Sequence, residues 1–419
     1  MNKEREVEML HVKQSQIIML LLLSLLSRHS FALLSKSSYG ELLVVQPTPV
    51  IKVQFVYNLN TRYSTTVTTG SGSFVAENAL LTVQTGAAIN SSATLMTNAY
   101  LTYQPGQGFF SIFPTLFSQG VAGSTQLSGI GNTTDGFFFG YNGTSFGILH
   151  RNNSVDTWIP QASWNKDNCL GGGGSGNPSG VTLDPTMGNI YKVQFQWLGF
   201  GAINFFLSSP VNDTMIFLHQ IQYPNANTTL SLTNPNLQGM LQVANTTNST
   251  NIFLKNGFLS GFIEGVFNKA INIRNSIATT KAIPISVITN LLTIRNNATY
   301  QSKTNHSCVY PDEISFFNSN STNANYVLCT LYLNPTVAGT PSFTNINAST
   351  SMVSYDTAGT TLSDGYALFS FYLQPKEAFS FNLSDYNTIL YPGDRLVLGC
   401  QSLNDNPIIF ASISWKEGL

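Results

Sequence analysis

The stretch Tyr191-Lys192-Val193-Gln194-Phe195-Gln196-Trp197 alternates apolar and polar residues without a break. A β-strand sends successive side chains to opposite faces, so Tyr191, Val193, Phe195 and Trp197 share one face while Lys192, Gln194 and Gln196 point away. This predicts a half-buried strand with Trp197 in a core. The same style recurs on both sides. Short runs of Val, Ile, Phe, Tyr and Thr stand between clusters of Gly, Asn, Pro and Ser, and they predict strands at 51–56, 63–68, 99–103, 136–141, 145–150, 203–207 and 215–221. Further strands are predicted at 283–287, 326–333, 366–373, 389–390, 395–398 and 408–415. Gln119 to Thr134 and Gly171 to Gly176 read as loops, and Tyr391-Pro392-Gly393-Asp394 reads as a turn.

The pattern predicts an all-β chain. A lectin-like or jelly-roll sandwich spans 39–245, a connector with a short helix near Leu259–Ala270 spans 246–281, and a second, smaller β-sandwich spans 282–419. Residues 1–38 form a leader of different character. Its apolar run, Ile17 to Leu26, falls short of the ~20 residues that cross a bilayer. It suits a stem or anchor with membrane contact, or a signal peptide cleaved near Ser30-Phe31-Ala32.

Charged residues make up only 9% of the 419, and the formal net charge is −1. A surface this poor in Lys and Arg has no electrostatic footprint for nucleic acid. It must be covered by Asn, Ser, Thr, Gln and Gly, by glycan, or by neighbouring subunits. Sequons for N-glycosylation stand at Asn90, Asn132, Asn142, Asn152, Asn212, Asn227, Asn245, Asn248, Asn297, Asn305, Asn320, Asn347 and Asn382. A chain so rich in Asn, Ser and Thr produces about ten of these by chance, so the motif alone does not establish glycosylation. Of the four cysteines, Cys308 and Cys329 are close enough in sequence to bridge a local loop in an oxidising compartment, and free buried thiols fit equally well.

The chain has no HExxH, P-loop or Cys/His cluster, and no catalytic residue, cofactor or metal is expected. Asp135, Asp184, Asp364 and Asp394 all sit in turn contexts, where Asp accepts local backbone hydrogen bonds. Asn142, Trp158, Trp164 and Asn165 are of the types that sandwich lectins use for carbohydrate, although any polar β protein carries them.

Several segments resemble a family of β-rich virion-surface or fibre-like proteins of giant DNA viruses and large phages. They are Gln104 to Gly108, Gly120 to Leu127, Asp135 to Leu149, Leu183 to Tyr191, Gln196 to Ile203, Tyr391 to Asp394 and Ile413 to Trp415. The resemblance implies a non-enzymatic structural or attachment component at the virion surface, capsid-associated or a fibre head. Its partners would be other virion proteins, its own copies (a trimer by analogy with fibre heads) and host glycans. The alternative is a secreted or membrane-tethered glycan-binding protein. A carbohydrate-active enzyme would need an Asp/Glu pair brought together in a cleft.

Overall fold

The computed structural model describes residues 47–418, apart from 213, 267–272, 321–325 and 387. The leader and its expected helix lie outside these residues. The described chain is all-β, in two units.

In the first unit, seven strands form one sheet in the order Val155–Pro160, Ser145–Asn152, Gly136–Asn142, Ser124–Gly131, Leu237–Asn245, Ser91–Leu101 and Ser64–Thr69. A nine-stranded sheet faces it, with Phe109–Phe117 near its middle flanked by Asn189–Phe195 and by Phe253–Asn256 and Phe258–Ile263. The two inner faces meet in an aromatic core. Tyr191, Val193 and Phe195 point into it, as the alternation predicts, and Tyr191 packs 4.6 Å from Phe139. Trp197 lines its rim and donates from Nε1 to the Leu232 carbonyl. The opposite face is covered as well. Gln194 and Gln196 are buried, and Lys192 lies over the rings of Phe110 and Phe206.

Two expectations change here. The stretch 119–134 contains a central strand, Ser124–Gly131. Its small residues reflect close approach rather than looseness: a Cβ on Gly129 would stand 2.2 Å from the Phe137 carbonyl oxygen. On the inner side, the Ser128 hydroxyl meets Thr115 of the facing sheet at 2.7 Å. The helix expected near Leu259–Ala270 is also replaced, because Phe258–Ile263 is a strand. Leu259, Gly261 and Ile263 are buried while Phe258 is exposed, a spacing of two. The first unit therefore runs past 245, through Ile263.

The second unit begins with Ile273–Ala282, which pairs along its whole length with the C-terminal strand Ile408–Glu417. That strand also pairs with Val309–Asn318, so the end of the chain is held inside a four-stranded sheet. A six-stranded sheet packs against it, in the order Thr344–Asn345, Val353–Asp356, Thr289–Asn296, Arg395–Ser402, Val327–Leu333 and Tyr366–Leu373. Trp415 is fully buried between the sheets.

One buried histidine gives the first unit a pH dependence. His219 Nδ1 accepts the Asn165 backbone N–H at 3.2 Å, which requires an unprotonated nitrogen. Burial, with Lys166 nearby, lowers its pKa from 6.5 to about 4. Between these values the unfolded chain binds the extra proton, so stability falls as pH drops from about 6.5 towards 4 and levels off below. Urea midpoints across this window are expected to fall with acidity. His219→Asn, which keeps an acceptor without a titrating ring, should flatten the slope to the part left by His150 and His306, both also lowered by burial. An unchanged slope would remove His219 as its source.

Candidate functional site

The expected site residues scatter. Trp164 is buried in the core of the first unit, Trp158 packs on the outer face of the seven-stranded sheet, and Asn142 and Asn165 are exposed at separate loops. Among the sequons, Asn132, Asn245 and Asn305 are buried and use their side chains to hold turns. Asn90, Asn142, Asn212, Asn227, Asn347 and Asn382 are exposed, and Asn152, Asn248, Asn297 and Asn320 are half-buried. The Cys308–Cys329 bridge is not the pairing the fold offers. Cys329 stands opposite Cys400 on the neighbouring strand with sulfurs 3.1 Å apart, while Cys308 packs near Thr102 at the junction of the two units. All four cysteines are buried and none is in a disulfide. Among the described residues no three His, Cys, Asp or Glu side chains gather to hold a metal, and no helix is long and apolar enough to cross a membrane.

What the fold does bring together is a cleft of about 490 Å³ between the two units. The first unit contributes Thr61, Arg62, Tyr63 and Asn98, from the turn before Ser64–Thr69 and the strand paired with it. The second contributes Asn334, Tyr366, Phe369, Phe381, Tyr386, Tyr391 and Asp394. Three tyrosines keep large exposed areas: Tyr63 (57%), Tyr366 (45%) and Tyr386 (64%). Core rings elsewhere in the chain are fully buried, so exposed rings gathered in one concavity need a partner to cover them.

Two of the rings pack against neighbouring side chains. The Arg62 guanidinium lies 5.1 Å over Tyr366, across the boundary between the units. Phe381 stacks on Phe369 at 4.2 Å and meets Tyr386 at 5.0 Å, fixing the floor. At the back, Tyr391 packs against Tyr100 of the first unit, which in turn stacks on His306 of the second. Burial pushes the Tyr100 phenol up to about 12 and raises Tyr391 further. Both remain neutral donors at ordinary pH.

Asp394 is the acidic group of this lining. It closes the Tyr391–Asp394 turn by accepting the Tyr391 N–H at 2.9 Å and the Asn334 amide at 2.7 Å. Burial raises its pKa, and these two hydrogen bonds oppose the rise. Asn98 is equally fixed, donating to the Thr61 and Arg62 carbonyls and accepting from Thr65. Of the other turn aspartates, Asp184 accepts locally from Thr186 as expected, whereas Asp135 accepts from the distant Thr233 and Asn153 amides and Asp364 from the Thr336 and Ser363 hydroxyls.

No protein-family model matches the chain, and no curated protein matches it. Solved structures do, each over about half of it. The potassium-bound carbohydrate recognition domain of yeast Emp46p matches with 7% identity and TM-score 0.31, over 52% of this chain and 98% of that one. A glycosyl hydrolase family protein from Mycobacterium fortuitum matches with 10% identity and TM-score 0.35, over 51% and 99%. The cellulose induced protein Cip1 matches with 11% identity and TM-score 0.33, over 50% and 96%. Likeness at this level concerns the sandwich fold. These matches correct two expectations. The expected virion shell or fibre-head role and the expectation that the chain is not an enzyme no longer stand, because the similar structures are named for carbohydrate recognition and glycoside hydrolysis. They do not bear on the resemblance to virus-encoded proteins.

Proposed function

We propose that this chain is a secreted or membrane-tethered glycan-binding protein, and that the cleft between its two units is where saccharide binds. One observation carries the reading: three exposed tyrosine rings, two of them packed against Arg62 or Phe381, share a cavity with Arg62, Asn98, Asn334 and Asp394. A pyranose ring presents apolar C–H faces and a rim of vicinal hydroxyls. Aromatic faces cover the first, and paired donors and acceptors on guanidinium, amide and carboxylate match the second. The cavity lies within the ~300–1,000 Å³ of small-molecule sites and at a domain junction, where such sites concentrate.

The test is isothermal titration with neutral oligosaccharides chosen from a glycan array, followed by mass spectrometry of the recovered ligand. Saturable binding that Arg62→Ala weakens several-fold is expected. Arrays with no bound glycan, or binding indifferent to Arg62, would overturn the reading. A shortened ligand would add hydrolysis to recognition.

A further inference from the structure

On the far side of the Tyr391–Asp394 turn lies a second cavity, of about 660 Å³, lined by Arg295, Asn297, Tyr300, Gln301, Gly393 and Arg395 among others. Arg295 and Arg395 are register partners on adjacent antiparallel strands, so their side chains leave the same face of the sheet. That face is the outer one, since their neighbours Ile294 and Leu396 are core residues. Like charges directly opposite each other are destabilising. In a chain with 19 basic residues among 419, this juxtaposition is conspicuous.

Nothing acidic neutralises the pair. Among the described residues, no ion pair involves either arginine. Asp356 is on a neighbouring strand of the same sheet, but its two oxygens already accept from Asn290, Ser342, Ala358 and Gly359. Asp394, next in sequence to Arg395, is turned to Asn334 and the Tyr391 N–H.

The geometry presents a donor edge outwards. The Arg295 guanidinium lies 3.8 Å over the Phe343 ring, which fixes its plane. Its Nε donates to Asn297 Oδ1 at 3.2 Å, and the Ser354 hydroxyl donates to the same oxygen at 2.7 Å. The Nη groups of Arg295 and the guanidinium of Arg395 have no protein acceptor in reach among the described residues. Burial and the charge of Arg395 both disfavour the charged form of Arg295, the signature of a positive pair left uncompensated.

We propose that this pocket takes the carboxylate or sulfate group of an acidic saccharide, clamped between Arg295 and Arg395. The inference rests on the glycan-binding reading and extends it. Asp394 lines the tyrosine cleft while Gly393 and Arg395 line the arginine pocket, so the two cavities meet at one turn. A saccharide whose neutral rings cover the tyrosines can place an acidic substituent on the arginines. Planar guanidinium forks suit both oxyanions.

The test is titration of the full chain with a heparin-derived hexasaccharide, an oligogalacturonate, a neutral cello-oligosaccharide and inorganic sulfate, at low and physiological salt. At least one acidic oligosaccharide is expected to bind ten-fold or more tightly than the neutral one. The advantage should shrink with salt and vanish in Arg295→Gln/Arg395→Gln. Arg395→Lys, which keeps charge but not the fork, should retain part of it. Comparing heparin with galacturonate separates sulfate from carboxylate. Saccharide binding with no acidic preference, or a preference that survives the double substitution in a folded protein, overturns the inference and leaves the glycan reading intact. Binding of sulfate that the double substitution abolishes, with no saccharide bound at all, upholds the oxyanion pocket and overturns the saccharide as its ligand.

Discussion

Asp356→Ala is expected to lower the unfolding free energy of the second unit by about 3–5 kcal/mol. Asp356 is fully buried, and each oxygen accepts two hydrogen bonds. The donors are the Asn290 amide and the backbone N–H groups of Ser342, Ala358 and Gly359, which anchor the segment before Thr344–Asn345 and the loop after Asp356. Beneath them, Lys281 donates to the carbonyls of Asn290, Thr357 and Gly359 at 2.7–3.0 Å. Burial lowers the Lys281 pKa and the nearby Asp356 charge opposes that shift, so the two groups support each other. Alanine leaves four buried donors without an acceptor and removes the negative charge near the half-buried Lys281 ammonium. Against a typical total of ~5–15 kcal/mol for a domain, the loss is a large fraction. Hydrogen exchange read by mass spectrometry should show Thr289–Asn296 and Arg395–Ser402 opening in the variant while the first unit keeps its protection. Asp364→Ala, in an exposed turn, should change stability by less than ~0.5 kcal/mol.

The second large effect concerns binding. Tyr366→Ala/Tyr386→Ala removes two of the three exposed rings and leaves the backing residues Arg62, Phe369 and Phe381 in place. An aromatic contact contributes ~0.5–1.5 kcal/mol beyond area burial, so two such rings together amount to about 1–3 kcal/mol. At about 1.4 kcal/mol per decade, oligosaccharide affinity is expected to drop about 5- to 150-fold. Both side chains are on the surface, so melting temperature should hold within a few degrees. Titration calorimetry beside a thermal melt separates loss of the site from loss of the fold.

Much of the architecture was legible where burial is one-sided. The alternation at Tyr191–Trp197 and at Ile409–Trp415 located strands correctly, and the latter placed the C-terminal strand inside a sheet. Prediction failed where side chains do not carry the pattern. Ser124–Gly131 is built of small residues because neighbouring backbones press on it, and composition alone cannot distinguish that from a flexible loop. Ile273–Ala282 has little hydrophobic signal because it is an edge strand, exposed on alternate residues. Phe258–Ile263 looked helical only because Leu259 and Ile263 are also four apart.

The cleft was not legible at all. Its walls come from 61–63, 98, 331–334, 366–369 and 381–394, and only tertiary packing unites them. The alternating strand marks Tyr191 as core, but nothing local marks Tyr386 as part of a site. The arginine pair shows the same limit: Arg295 and Arg395 are a hundred residues apart, and the sheet register alone makes them neighbours.

Hydroxyl-radical footprinting, read by mass spectrometry with and without a bound oligosaccharide, tests the central claim most directly, because it reports where on the surface the ligand sits. Tyr63, Tyr366 and Tyr386 are expected to lose most of their oxidation on saturation, while exposed Tyr57 and Tyr372, which lie outside the cleft, are oxidised as before. Protection elsewhere on the molecule, with these three tyrosines still fully oxidised in the complex, would contradict it.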